Sequence, residues 1–345
     1  MTQDPLIPAY SWLCPAIHGD AAKEHECYPL AYGDFFAKFQ LEIPLFQRRY
    51  CWAAPIIEKL FQDIMTGANL HTGLGKVILF PQEKSPSKHK LLDGQQRTTT
   101  LLLLLKCLKE VLPPGDFNGL VPFSIEDRLK VSLNDTPCFT SIMTGDSGSS
   151  SNQCEGCRVH ESYALLRRLI AATPANQRVL ALERALQQRL VTFVVHTADP
   201  HGENHIFLWL SEKSRFAASM VYNRSPGETM AESDLIRNLL LSLYRGDEAQ
   251  MEGYRSFWLP LEEKHRSPED RDRFFKSSLE PLAKEIVGDR SEGLFKKTPT
   301  MPGCKPLLYD HFRHLLATAL PTKGKCSSPN DVLSKLIHLL DTQAG

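Results

Sequence analysis

The chain has 345 residues, and 40 Lys+Arg against 40 Asp+Glu leave a formal net charge of zero. Hydrophobic residues make up 42% and charged residues 23%, near the globular average, which excludes wholesale disorder. Neutrality excludes a uniformly basic coat but leaves room for a local basic patch. The length suits roughly two domains. The longest apolar run, Leu101–Leu105, stops at Lys106, far short of the ~20 residues that span a bilayer. The opening MTQDPLIPAYSWLCPAIHGD lacks a basic stretch followed by an apolar one, so no secretory leader is expected. Nine cysteines, an odd count without framework spacing, fit free thiols in a reducing compartment. A cytoplasmic protein with no membrane span is the expectation.

The first forty residues are broken by Pro5, Pro8, Pro15 and Pro29. From Tyr32, YGDFFAKFQLEIP reads as a short helix and then a strand ending at Pro44. After Pro55, the spacing of Ile56, Ile57, Leu60, Phe61, Ile64 and Met65 predicts a helix closed by Gly67. GKVILF at 75–80 reads as a strand, PQEKSPSKHK as a polar connector and KLLDG as a second strand stopping at Gly94. A helix is predicted over Thr98–Leu112, ended by Pro113-Pro114-Gly115. TGDSGSSSNQCEGC (144–157) reads as a flexible loop or insertion. Beyond it SYALLRRLIAAT, RVLALERALQQRL, ESDLIRNLLLSLY, DRFFKSSLEPLAKEI and DVLSKLIHLLD predict helices, and LVTFVVHTAD a strand. The fold class is therefore α/β (α+β): a mixed N-terminal domain over 1–145 and a mainly helical domain over 158–345.

The most informative segment is LLDGQQRTTTLLLLL. A strand leads into Asp93-Gly94 and a helix follows within a few residues. Gly94 allows a tight turn, and the helix end offers N–H donors with positive polarity. Arg97 adds a cationic fork, and Thr98, Thr99 and Thr100 add hydroxyls. This assembly suits a phosphate. Asp93 could orient Arg97 or hold a divalent metal, and Gln95 or Gln96 could position a water. The alternative is a capped strand–helix turn with solvated glutamines. In IPLFQRRYCW, Gln47, Arg48 and Arg49 lie between Phe46 and the pair Tyr50 and Trp52, which suits base stacking or a phosphate clamp. An aromatic anchor for the following helix is the other reading.

Together IPxFQRxYxW and the later DGQQRxTTL resemble the N-terminal domain family of GmrSD-type modification-dependent restriction enzymes. VYNRSPGETMAESDLIRNLLL (221–241) extends the resemblance through Asn223, Gly227, Asp234, Leu235, Ile236 and Asn238, with Arg237 where the family usually has Lys. FWLPLEEK (257–264) is similar to the Trp-containing segment that comes next in the family. The resemblance covers about residues 32–290. It implies a ParB/sulfiredoxin-like core that binds and hydrolyses a nucleoside triphosphate with Mg²⁺, coupled to sensing of modified DNA. Asp93, Gln96 and Arg97 would be catalytic, with Asp93 the candidate metal ligand. Gln47, Arg48, Tyr50, Trp52, Gly94, Gln95, Thr98, Thr99, Asn223 and Asp234 would contact the nucleotide. Asp234 can equally cap its own helix. Arg48 is assigned to the nucleotide and Arg49 to DNA or solvent.

Full-length family members carry an HNH nuclease domain. DHFRHLL (310–316) has two histidines at helical spacing but lacks the further His and Asn of such a site, so cutting is expected from another domain or subunit. Self-association stays open. Cys154, Cys157 and His160, with Cys138 as a fourth ligand, are a zinc candidate against the plainer reading of free thiols on a loop. A non-catalytic DNA-binding or protein-interaction module of the same fold is the alternative function.

Overall fold

The computed structural model describes residues 24–68, 74–82, 85–145, 157–196, 231–241, 244, 247–265, 267–298, 308–319 and 338. These fall into two compact units, residues 24–196 and residues 231–338.

In the first unit, strands β1 (Glu24–Ala31), β2 (Gln40–Glu42), β3 (Lys76–Gln82), β4 (Ser85–Asp93), β5 (Leu129–Lys130) and β6 (Arg189–His196) form one mixed sheet. Its order is β1-β6-β3-β4-β2-β5. β6 runs antiparallel to β1 and parallel to β3; β4 is antiparallel to β3 and parallel to β2. The helices are α1 (Tyr32–Lys38), α2 (Ala54–Thr66), α3 (Gln95–Val111), α4 (Pro114–Leu120), α5 (Thr136–Thr144), α6 (Arg158–Ala172) and α7 (Ala175–Gln187). One core joins the sheet residues Val77, Leu79, Leu91, Leu190 and Val194 to the apolar faces of these helices. Within it α3 is buried on every side from Leu101 to Leu105, as a helix apolar all round must be.

The mixed α/β architecture agrees with the sequence, and three details differ. The polar stretch before Lys90 is strand rather than connector, because β4 begins at Ser85 and pairs with β3 and β2. Helix α3 begins at Gln95, directly after Gly94, so Gln95, Gln96 and Arg97 form its first turn instead of a preceding loop. The expected boundary at 145–157 falls inside the first unit. β6 inserts between β1 and β3, which ties α6 and α7 to the N-terminal sheet.

The second unit is helical: α8 (Glu232–Leu241), α9 (Asp247–Gly253), a π-helical turn (Tyr254–Trp258), α10 (Leu259–Lys264), α11 (Pro268–Val287) and α12 (Leu308–Ala319). Ser267 caps α11 by accepting the Asp270 N–H at 3.0 Å. Phe275 packs against Trp258 and Phe312, with ring centroids at 5.5 and 5.4 Å. The helix expected at DVLSKLIHLLD lies outside the described residues except for His338. Among the described residues no helix is long and apolar enough to cross a membrane.

Candidate functional site

The site begins with a defect in the sheet. Ile78 pairs with Asp93 but Leu79 pairs with Leu91, so Leu92 is an extra residue, a β-bulge at the end of β4. Bulges bend a strand and re-aim the chain beyond them. Here the chain leaves the sheet at Asp93, whose Oδ1 accepts the Gly94 N–H at 2.8 Å. Gly94 then turns with φ 93°, a conformation that strains any side chain, and a Cβ there would collide with Val77 Cγ1. Both facts require glycine.

The polar residues of the 46–52 segment bind this turn from behind. Gln47 is buried and donates through Nε2 to the carbonyl of the bulged Leu92 at 2.7 Å. Gln96 donates to Arg49 O at 3.1 Å and accepts the Cys51 N–H at 2.8 Å, so both ends of its amide are used. Tyr50 is buried; its hydroxyl shares a hydrogen with Thr100 Oγ1 at 2.7 Å, and its N–H donates to Asp135 Oδ2, also at 2.7 Å. Burial pushes the Tyr50 phenol up to about 12. Ser132 donates to the same Asp135 oxygen at 2.7 Å. Trp52 is half-buried against the core. Arg48 is half-buried and Arg49 exposed.

The helix start has a different character. Thr98 N–H is the first to bond within α3, to Gly94 O at 3.0 Å, and no side chain caps the turn. The N–H groups of Gln95, Gln96 and Arg97 therefore have no intrahelical acceptor. Thr99 and Thr100 turn their hydroxyls back to Gln95 O and Gln96 O at 2.9 and 2.8 Å. The half-buried Arg97 rests over Gly75, which has φ 99°, and reaches Lys76 O only at 3.4 Å. Beside it lie hydroxyls that the fold leaves without hydrogen-bond partners among the described residues: Tyr32, 1% exposed, and Thr98, fully buried. Burial raises the Tyr32 pKa against the opposing pull of Arg97. Arg97 and Thr98 are near enough to polarise the phenol, but neither meets it in hydrogen-bond geometry. Gln95 Oε1 is likewise buried and unpartnered. A cation, uncapped N–H donors and orphaned buried hydroxyls in one place suit an oxyanion such as phosphate.

The fold thus brings Asp93, Gly94, Gln95, Arg97 and Thr98 into one group and sets Gln47, Tyr50 and Gln96 behind them as a brace. Asn223 lies outside the described residues. Asp234, in the other unit, is buried and paired with Arg237 at 3.2 Å and Arg271 at 4.0 Å. Arg237 also bonds Glu262, whose other oxygen accepts the Tyr254 hydroxyl at 2.9 Å. Charge pairing, rather than capping, engages Asp234 there. Among the described residues no group of three His, Cys, Asp or Glu could hold a metal. Cys154 of the zinc candidate lies outside them. Sequence reasoning missed Tyr32, Gly75 and Asp135. Gly75, before a strand, carried a legible turn signal; the other two join the site only through tertiary contacts.

No curated protein matches the chain. Residues 32–241, more than half of its length, match the model of the GmrSD restriction endonuclease N-terminal domain. That span contains both the brace and the helix start, and the chain therefore belongs to the family of GmrSD restriction endonuclease N-terminal domains, which ties it to the restriction systems of phage defence.

Proposed function

We propose that this protein binds and hydrolyses a nucleoside triphosphate as the DNA-sensing module of a modification-dependent restriction system. One observation carries the reading. Arg97 stands at an uncapped helix start beside the buried, unpartnered hydroxyls of Tyr32 and Thr98. Phosphate oxygens would accept from the N–H groups of Gln95, Gln96 and Arg97, and the guanidinium would stabilise charge that grows on the transferring phosphoryl group. Gln95 is the glutamine left to orient a water, because Gln96 is spent on Arg49 and Cys51. Arg48 would flank the nucleotide. Asp93 keeps Oδ2 for Mg²⁺, and one carboxylate with substrate phosphates is an ordinary magnesium environment, so the residues present fit the ion; it would neutralise phosphate charge. An HNH-type nuclease domain or subunit would make the cut.

A second reading is favoured by the same brace. With Gln47 and Gln96 engaged and, among the described residues, no group of three His, Cys, Asp or Glu to hold a metal, the turn could grip DNA phosphate without hydrolysis. Phosphate release measured with each of the common NTPs, with and without modified DNA, separates the two. DNA-stimulated release supports the first reading. DNA binding without turnover supports the second.

A further inference from the structure

Opposite partners in a strand ladder share a face of the sheet, and successive residues alternate faces. Val77, Leu79, Leu190 and Val194 point into the core, so Lys76, Phe80, Arg189 and Val191 point the other way. Lys90 pairs with Phe80 and with Glu42 and shares their face, as does Lys88, two residues earlier. Lys130 joins them opposite Glu42 on the outermost strand, β5. Lys76, Lys88, Lys130 and Arg189 are exposed, and Val191 is 39% exposed between the ends. Ile78, which shares this face between Lys76 and Phe80 on β3, is buried.

The carboxylates described on this face are Glu42 and Asp93. Glu42 is held by Lys130 at 2.7 Å, and Asp93 is turned onto the Gly94 N–H. Among the described residues no carboxylate pairs with Lys76, Lys88 or Arg189. Among the described residues, cations therefore outnumber carboxylates on this face of the sheet, in a chain whose net charge is zero. They also form two separated groups. Lys76 and Arg189 flank Val191 at one end, while Lys88, Lys90 and Lys130 cross the strands at the other. Lys90 sits opposite Phe80, four residues along β3 from Lys76, a separation of about 13 Å at ~3.3 Å per residue. That is close to the ~12 Å width of the major groove of B-DNA.

We infer that this sheet face is the DNA-docking surface of the protein, its two cation groups contacting the phosphate backbones on either side of the groove. The occupant is duplex DNA. The inference rests on the DNA-sensing part of the proposed function and not on hydrolysis. It moves the main DNA contact away from Arg49 and leaves the helix start to the nucleotide. Backbone contacts position the duplex without reading its sequence, so recognition of a modified base would come from elsewhere.

The test is binding of a duplex DNA by the full chain across a range of salt concentrations. The wild type is compared with Lys88→Gln/Arg189→Gln and with Lys59→Gln, which removes an exposed cation from α2. Removing one cation from the phosphate backbone should flatten the log–log salt slope by about 0.9. The double variant should therefore bind about 10-fold or more weakly at moderate salt and with a slope shallower by close to two units, with phosphate release in the absence of DNA unchanged. Lys59→Gln should bind as the wild type does. Wild-type DNA binding with an unaltered double variant would overturn the surface while leaving DNA sensing intact. A wild type that binds no DNA, or that binds the matching RNA duplex much more tightly, would overturn the occupant, and phosphate release in the same samples would still judge the hydrolysis reading separately.

Discussion

Two stretches of this chain look alike on paper. Residues 46–52 and residues 93–98 both set glutamine and arginine beside a turn. In the fold their residues divide between two roles. The polar groups of Gln47, Tyr50 and Gln96 are consumed inside the protein, on a bulge carbonyl, a threonine hydroxyl and two backbone groups. At the helix start, among the described residues, the first-turn N–H groups have no acceptor within the helix, and the Tyr32 and Thr98 hydroxyls and Gln95 Oε1 have no hydrogen-bond partner. The difference teaches that a shared motif can divide its residues between holding a site and being one. Hydrogen-bond saturation decides which is which, because a buried polar group without a partner is costly unless a ligand supplies one.

The sharpest way to break this contrast is Arg97→Ala. The side chain is half-exposed and, among the described residues, makes one long hydrogen bond, so the melting temperature should hold while turnover falls by about 10²-fold or more. Near wild-type phosphate release by the folded variant would remove Arg97 from the chemistry. Gln96→Leu should act in the reverse sense. It strips partners from Cys51 N–H and Arg49 O, at a cost of about 1–3 kcal/mol for a buried group left unsatisfied, which thermal melting would show as a clear drop. An unchanged melting temperature with abolished turnover would return Gln96 to the catalytic group.

Tyr32→Phe is a finer probe. Among the described residues the Tyr32 hydroxyl has no hydrogen-bond partner, so stability should be equal or slightly higher, while nucleotide affinity falls by about 3–10-fold for want of one neutral hydrogen bond. Destabilisation measured by melting would mean the hydroxyl already has a structural partner. The smallest effect belongs to the helical unit. Burial lowers the pKa of His265, His311 and His314 below the ordinary histidine value. The unfolded chain then binds protons first, so stability is full above the ordinary value and is lost as pH falls from there through the lowered values. Protection factors from hydrogen exchange in α11 and α12, taken after dividing out the intrinsic exchange rate at each pH, should fall from pH 7 to pH 5, and equal protection would show the histidines to be unperturbed.

Much of this was legible in the sequence. The apolar spacing of α2 and α6, the β-branched run of β6 and the glycine before α3 each announced their element, since all three depend on local periodicity or backbone freedom. The site residues of the helix start were also visible, carried by composition and resemblance. Their roles were not. Nothing local shows that Leu92 is an extra residue in its ladder, so nothing local shows that Gln47 must serve its carbonyl. Tyr50 resembled a stacking platform until burial and Asp135, 85 residues away, placed it in the brace. Strand β6 looked like part of a second domain because the pairing that recruits it to the first is long-range.

The most direct test is amide hydrogen exchange at Gln95, Gln96 and Arg97, measured on the full chain with Mg²⁺ and non-hydrolysable analogues of each common NTP. These amides have no acceptor within α3, so a bound phosphate should slow their exchange by at least about tenfold, with the effect centred on residues 93–98 and extending to Arg48. Unchanged exchange at these amides with every analogue, while other segments respond or none does, would contradict a phosphate site at the start of α3.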